Sequence, residues 1–479
     1  MPNCDKIRDP ELALAVAPRR LAAAAGLLVP LLSSAAAWAE EAAPVVFDSG
    51  DTAWVLTSAA LVLMMTLPGL ALFYGGLVRA KNVLNVLMQC FISAGIAGVV
   101  WVLFGYSLAF GTGNSWVGDF SKVGLGGVTL ESFITNGAGR NIPEYIFVMF
   151  QGMFAIITPA LILGAIAERM KFSAWIAFIT IWLVVVYCPL AHMVWGGEGW
   201  LFKSGAIDFA GGLVVHMSSG FSALVLAMLL GKRRGFGKEP MAPHNLPFCL
   251  IGAGLLWAGW FGFNAGSALA ASPLATLAFL NTSTAASAAV LAWAAIEWLH
   301  RGKPTALGGA TAAVAGLVAI TPACGNVAPM GALLIGIGVS AVSYVACTFL
   351  KPALGYDDSL DVFGVHALGG AWGALASGIF ATTLGSGIES NGQQILVQLE
   401  GIAFVAVFAA VATVTIFYGL QLVFGSLRPT EEEEYEGLDL SQHSESAYFG
   451  LGGGVSIHES APPSHGAVPA TAPAQRQFA

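Results

Sequence analysis

Charge is what this sequence has least of. Only 10% of its 479 residues are Asp, Glu, Lys or Arg, against about 25% in soluble domains. Hydrophobic residues take 56%. A soluble fold of this length cannot hide so much apolar surface in its core. A bilayer removes the difficulty, because lipid solvates the outside of the protein. The formal charge of −8 comes from acidic residues near the ends and in the joints. No basic face occurs, which argues against nucleic-acid binding. Cysteine is scarce as well: Cys4, Cys90, Cys188, Cys249, Cys324 and Cys347 show no CxxC spacing, and all but Cys4 lie in or beside apolar runs. They read as small core residues rather than as a disulfide or metal set; neither a metal nor a cofactor is expected. No HExxH or GxSG string occurs, so an intramembrane enzyme lacks its signatures, although Ser218-Ser219-Gly220 follows closely on His216.

What is present is a series of apolar blocks, each about 20 residues long and sufficient for one helical crossing. Eleven are counted, at 53–76, 84–110, 144–167, 172–194, 209–230, 246–271, 275–299, 305–322, 328–350, 362–384 and 395–424. The expected fold is an all-α membrane protein of eleven transmembrane helices, with residues 40–428 as the transmembrane domain. Before it, Arg19 and Arg20 precede an apolar run over 21–32 and the small-x-small string Ala37-Trp38-Ala39. This pattern predicts a signal peptide over 1–39; an uncleaved first helix is the other reading. The segment 429–479 is expected to be a cytoplasmic tail, disordered beyond about 450.

Orientation follows from the basic residues. Joints after odd-numbered spans hold twelve of them, among them Arg79, Arg169, Arg233 and Arg428, whereas joints after even-numbered spans hold only Lys122, Arg140 and Lys203. The odd joints are therefore expected inside the cell, with the mature N-terminus in the periplasm and the C-terminus in the cytoplasm. The joint 112–143 is the longest on the outer side, rich in Gly and Asn.

A weak repeat is visible. Asp208 precedes His216 by eight residues in DFAGGLVVH, and Asp358 precedes His366 by eight in DSLDVFGVH. Five spans separate the two strings, and an odd number of spans inverts the second copy relative to the first. Two inverted five-helix repeats plus an eleventh helix follow, with the paired elements meeting near the midplane, where transporter sites lie.

His216 and His366 are the sharpest chemical signal, because an ionisable side chain inside a span is costly and marks function by default. A neutral imidazole accepts a proton with one nitrogen and donates with the other. Each is expected about two turns inside its span; the competing reading is a histidine hydrogen-bonded between helices. Asp208 either caps a helix or coordinates a cation. Asp358 and Asp361 are expected to support the second lead-in. Phe263 and Ser267 are four apart on one helix face, and Phe154 lies in FQGMF; each aromatic can equally be ordinary packing. Trp195 is either an interfacial tryptophan or a ring face for an arriving cation.

The strings GAIAERMKFSAW, AHMVWGG, DFAGGLVVH, GKRRGFGKEPMAPHNLP, WFGFNAGS, AGLVAITPACG and DVFGVH stand in this order between residues 50 and 448. In this the chain resembles the bacterial ammonium transporters of the ammonium transporter, methylammonium permease and Rhesus superfamily. The resemblance implies a homotrimer in the lipid of the bacterial inner membrane, with one pore per subunit. It implies that Phe154, Trp195 and Ser267 line an outer recruitment site, that Phe154 and Phe263 stack as a gate, that His216 and His366 are twin pore histidines with Thr321 nearby, and that Asp208 supports the site. The stretch EEEEYEGLDLSQHSESAY implies docking of a P-II signal protein. Two departures stand out: the joint Gly196-Gly197-Glu198-Gly199-Trp200 is one residue longer than usual, and the tail runs past Ala447-Tyr448. The expected activity is ammonium transport, with an ammonium sensor acting through a docked P-II protein as the alternative. A sodium-coupled carrier would more often show broken helices with backbone ion sites.

Overall fold

The computed structural model describes residues 45–381 and 391–448. The expected signal peptide, the tail past residue 448 and the last residues of the tenth expected span lie outside the described residues.

Ten helices among the described residues are long and apolar enough to cross a bilayer. The first seven are α1 (Ser49–Leu77), α2 (Ala80–Phe110), α3 (Glu144–Ile166), α4 (172–195, followed after a break at 196–199 by the short helix Trp200–Lys203), α5 (Gly212–Leu230), α6 (Leu246–Gly266) and α7 (Pro273–Arg301). Next comes α8 (Ala306–Ile320), equally apolar but only 15 residues long. It spans roughly 22 Å at 1.5 Å per residue, short of a hydrocarbon core of about 30 Å. The remaining three are α9 (Pro329–Leu354), α10 (Phe363–Phe380) and α11 (Asn391–Phe424). The count of long spans is thus ten rather than eleven, with α8 the short exception.

The chain leaves α8 as irregular backbone from Thr321 to Gly325, all of it buried. Such backbone is tolerable at membrane depth only when protein groups satisfy it. Asn281 donates through Nδ2 to the carbonyls of Cys324 and Val327, both at 2.8 Å, and Phe209 N–H donates to the Pro322 carbonyl at 3.1 Å.

Local chemistry sets the helix starts. Asp48, Asn245, Ser272 and Thr305 cap α1, α6, α7 and α8 through their side-chain oxygens, satisfying donors that no preceding turn can serve. The bundle is arranged around α3, whose residues are almost all buried, while α11 is largely exposed along its length. α5 packs against α3, α10 and α11, and α1 against α6. Gly220 decides how closely α5 and α10 approach: a Cβ there would overlap the Ala367 backbone. Close contact through small residues is the usual device where lipid supplies no hydrophobic drive between helices.

The joint 112–143 carries a small hairpin on the otherwise all-α fold. Strands β1 (Phe133–Thr135) and β2 (Asn141–Pro143) pair antiparallel. Their hairpin is tied to α1 by Arg140, whose Nε and Nη2 reach the two oxygens of buried Asp51 at 2.7 and 2.5 Å. After α11 the tail forms α12 (Glu431–Glu436) and α13 (Leu438–His443). They dock at the start of α2, where Asp439 accepts from Asn85 N–H and Asn82 accepts from Leu438 N–H, both at 2.8 Å. The five described cysteines are unpaired, four of them buried and Cys347 partly so.

Candidate functional site

The lead-in to α5 is built by Asp208. Its carboxylate accepts from the backbone N–H of Gly211 at 2.9 Å, Gly212 at 2.5 Å, Leu213 at 2.8 Å and Val214 at 3.1 Å. Gly211 turns the chain at φ +116°, a conformation that suits glycine. One buried anion thus serves the free donors of a helix N-terminus, where the helix dipole also favours negative charge. The second lead-in is not its chemical copy. Asp358 accepts from Phe363 N–H at 2.7 Å through one oxygen, and Asp361, at φ +60°, binds Lys351 Nζ at 2.6 Å.

Both helices then open with a wide turn rather than an α-turn, over Gly212–Met217 and Phe363–Ala367. His216 and His366 sit in these turns, one turn inside their helices rather than the expected two. For His216 the reason is that the irregular Asp208 lead-in takes up the start of block 209–230, so the helix begins at Gly212; His366 already lies only four residues into block 362–384, and its helix begins at Phe363. Such wide turns recur at functional positions.

The two imidazoles meet. His216 Nδ1 and His366 Nδ1 are 3.2 Å apart, with ring centroids at 5.3 Å. On its far side His216 Nε2 faces Thr321 Oγ1 at 3.4 Å, a long contact. The Thr321 hydroxyl donates to the Leu317 carbonyl at 2.8 Å and accepts from Trp260 Nε1 at 2.9 Å. With its one proton committed, Thr321 can only accept from His216, so this long contact favours the tautomer with the His216 proton on Nε2. His216 Nδ1 is then an acceptor, His366 Nδ1 the donor to it, and His366 Nε2 is left with a free lone pair. Trp260 also stacks on His216 at 5.5 Å and 26°. Ser219 takes no part: its hydroxyl donates to the Val215 carbonyl at 2.6 Å.

The aromatic residues form a second constriction. Phe154 and Phe263 lie with centroids 4.3 Å apart and 36° between their planes, and Phe263 stacks on His216 at 6.1 Å. Trp195 meets Phe154 edge-on at 5.9 Å. Its indole N–H donates to the Asp208 carbonyl at 2.8 Å, so the ring face, and not the N–H, is what Trp195 offers a solute. The Ser267 hydroxyl donates to the Phe263 carbonyl at 2.8 Å, leaving oxygen lone pairs outward.

Three cavities lie in series along these residues. The first, about 350 Å³, is lined by Phe154, Trp195, Ser267, Gln151 and Asp208 among others. The second, beyond the Phe154–Phe263 pair, holds only about 10 Å³ and is lined by Phe263, Trp260, Val215, His216 and His366. That is at the lower limit for one water. The third, about 290 Å³, shares Phe73, Tyr74, Val314 and His366 with the second and opens among Glu297, Arg301 and Asp361. The structure therefore brings Trp195, Phe154 and Ser267 to one cavity, Phe263, His216 and His366 to the next, and Asp361 to the third. Asp358 lies on none of them.

Two lining residues were not singled out from the sequence. Trp260 passed as one more aromatic in a span; only its contacts to Thr321 and His216 distinguish it. Gln151 is the polar residue inside FQGMF, and its placement in an otherwise apolar block was the available signal.

A narrow, mostly apolar cavity thus lies between two wider ones inside a bundle of membrane-length helices, an arrangement that suits a multi-pass membrane transporter. Residues 53–448 match the model of the Ammonium Transporter Family, and the chain belongs to that family. The ammonium transporter of Bacillus subtilis is 49% identical over 405 residues, covering 83% of this chain and 98% of that protein. Among solved structures, Candida albicans Mep2 superposes with a TM-score of 0.74 at 35% identity, covering 81% of this chain and 88% of that one. A structure titled "Sensor Amt Protein" superposes with a TM-score of 0.76 at 30% identity, covering 82% and 98%.

Proposed function

We propose that the protein recruits ammonium in the cavity beside Trp195, strips it of a proton near the Phe154–Phe263 pair, and conducts ammonia past His216 and His366, while the proton either returns to the water outside that cavity or is relayed separately along the two imidazoles. The observation that carries this reading is the throat of about 10 Å³ between those rings and the two imidazoles. Ammonium and potassium have nearly the same charge and size, so a ring of oxygens would pass both. Desolvating an ion of this size costs on the order of 20 kcal/mol in the idealised limit, and a greasy throat excludes both. Ammonium alone escapes the penalty, by losing its proton. Neutral ammonia then finds His366 Nε2 to accept from its N–H.

In this reading Trp195 and Phe154 present ring faces to the cation and Ser267 a lone pair; Phe154 and Phe263 are the gate. Thr321 orients His216, and Asp208, Asp358 and Asp361 shape the two lead-ins. α8 acts as the eighth of eleven crossings, its short helix completed by the buried 321–325 turn, and α1–α5 and α6–α10 are inverted repeats. A signal peptide precedes them. The Trp195 end faces the periplasm and the Arg428 end the cytoplasm, as the basic residues require, in a homotrimer in the bacterial inner membrane.

Uptake and current in proteoliposomes, with and without ammonium, test the proposal. For His216→Ala, ammonium flux is expected to fall sharply or to lose its discrimination against potassium. Unchanged flux with unchanged selectivity would defeat the role given to the histidines. The name of the "Sensor Amt Protein" relative favours one second reading: an ammonium sensor signalling through a P-II protein docked at the tail. Negligible flux in wild-type vesicles, alongside ammonium-dependent binding of a P-II protein, would favour it.

A further inference from the structure

His192, in the last turns of α4, is fully buried and lines none of the three cavities. Both of its ring nitrogens face backbone carbonyl oxygens. Nδ1 is 3.0 Å from the Ala109 carbonyl and Nε2 is 2.6 Å from the Asn114 carbonyl. A carbonyl oxygen only accepts. A neutral imidazole has one N–H, so one nitrogen lone pair would press on an oxygen lone pair. Turning the ring over does not help, because a carbon would then sit 2.6 Å from an oxygen, well inside the range of C–H···O contacts. Only an imidazolium, with two N–H donors, satisfies both partners.

The surroundings suit a cation. Ala109 is at the C-terminal end of α2, and His192 is near the C-terminal end of the helix Cys188–Trp195. The negative ends of two helix dipoles therefore converge on the ring. Glu198, in the lengthened joint, lies within electrostatic reach of His192 and pairs with Lys203 Nζ at 2.5 Å. On the 112–143 joint, Asp119 is half-buried and turned to Ser121, and Lys122 pairs with Glu144 on α3. Trp195 stands three residues beyond His192, and the His192 carbonyl accepts from Gly196 N–H at 2.9 Å to close that turn.

We propose that His192 is a positioning residue held as a buried imidazolium, clamping the ends of α2 and α4 and the 112–143 joint together so that the Trp195 ring is presented to the first cavity. Its role rests on the recruitment reading of Trp195. Ala191-His192 is the one Ala-His step in the chain, so carbonyl-¹³C alanine with ¹⁵N histidine selects this residue by solid-state NMR in lipid. Two protonated ring nitrogens near pH 7 are expected for the wild-type protein; one unprotonated nitrogen overturns the proposal. In His192→Gln, which offers donors on one side only, KM for ammonium is expected to rise about tenfold, equivalent to about 1.4 kcal/mol, with kcat held within twofold. A fall in kcat at constant KM counts against positioning. Trp195→Ala separates the two layers: an unchanged KM there sinks the recruitment reading, whatever the NMR gives for His192.

Discussion

Asp208→Asn is the substitution that best tests how the site is held. Four backbone donors converge on this carboxylate, two on each oxygen. Hydrogen bonds to an ionised acceptor are worth about 1.5–3 kcal/mol each. Asparagine keeps one oxygen for two donors, at the neutral strength of about 1 kcal/mol. It turns an amide NH₂ against the other two, which are then buried without an acceptor. Losing two charge-assisted bonds outright sets the expected destabilisation at no less than about 3 kcal/mol. The assay is the denaturation midpoint of the purified protein in one detergent, measured beside uptake normalised to folded protein. The cap role predicts a markedly lower midpoint, with uptake per folded molecule falling much less. A midpoint equal to wild type together with abolished uptake would refute it and make Asp208 a direct cation ligand.

Thr321→Val removes the acceptor shared by Trp260 Nε1 and His216 Nε2. Each stranded donor costs about 1–3 kcal/mol; a lower midpoint and reduced ammonium flux are expected, and flux equal to wild type would show that the tautomer of His216 is not held from Thr321. Gly220→Val puts methyl groups into the Ala367 backbone, and no correctly folded protein is expected on size-exclusion chromatography; Gly220→Ser should be tolerated no better than Gly220→Ala. Asp357 sits outside the spans, bound by Arg233 at 2.7 and 2.8 Å and faced by Arg169 at 3.6 Å. Burial pushes its carboxyl up, but the two guanidinium groups more than offset this and hold it below the ordinary value of 3.8. A depressed carboxyl stabilises the fold above the unfolded value and loses that contribution as pH falls through the folded one. Wild type and Asp357→Asn should therefore differ in midpoint at pH 7 and converge only below 3.8, which a pH series of midpoints checks.

Much of the architecture was legible because a bilayer imposes a local rule: each crossing needs its own apolar run and must satisfy its own backbone. Hydropathy alone located α1 to α7 and α9 to α11 within a few residues. At α8 it found the block 305–322 but not that the helix stops at Ile320. The buried turn after Ile320 is carried by hydrogen bonds from Asn281 and Phe209, and no local pattern reports those. The 112–143 joint hid its hairpin for a similar reason: what holds β2 in place is Arg140 reaching Asp51 in α1.

The sequence by itself determined that this is a membrane bundle with two costly histidines at matched positions, since composition, block length and an ionisable group inside an apolar run are properties of short stretches. Only the tertiary structure decided that those imidazoles, 150 residues apart, touch at 3.2 Å, and that Thr321, itself held by Trp260, faces the other nitrogen of His216. The same holds for His192, an unremarked residue of the AHMVWGG string until two carbonyls from distant segments close on it. The physical reason is common to all three. A histidine's chemistry is set by the partner on each nitrogen, and those partners arrive from other helices through packing that no local stretch of chain encodes.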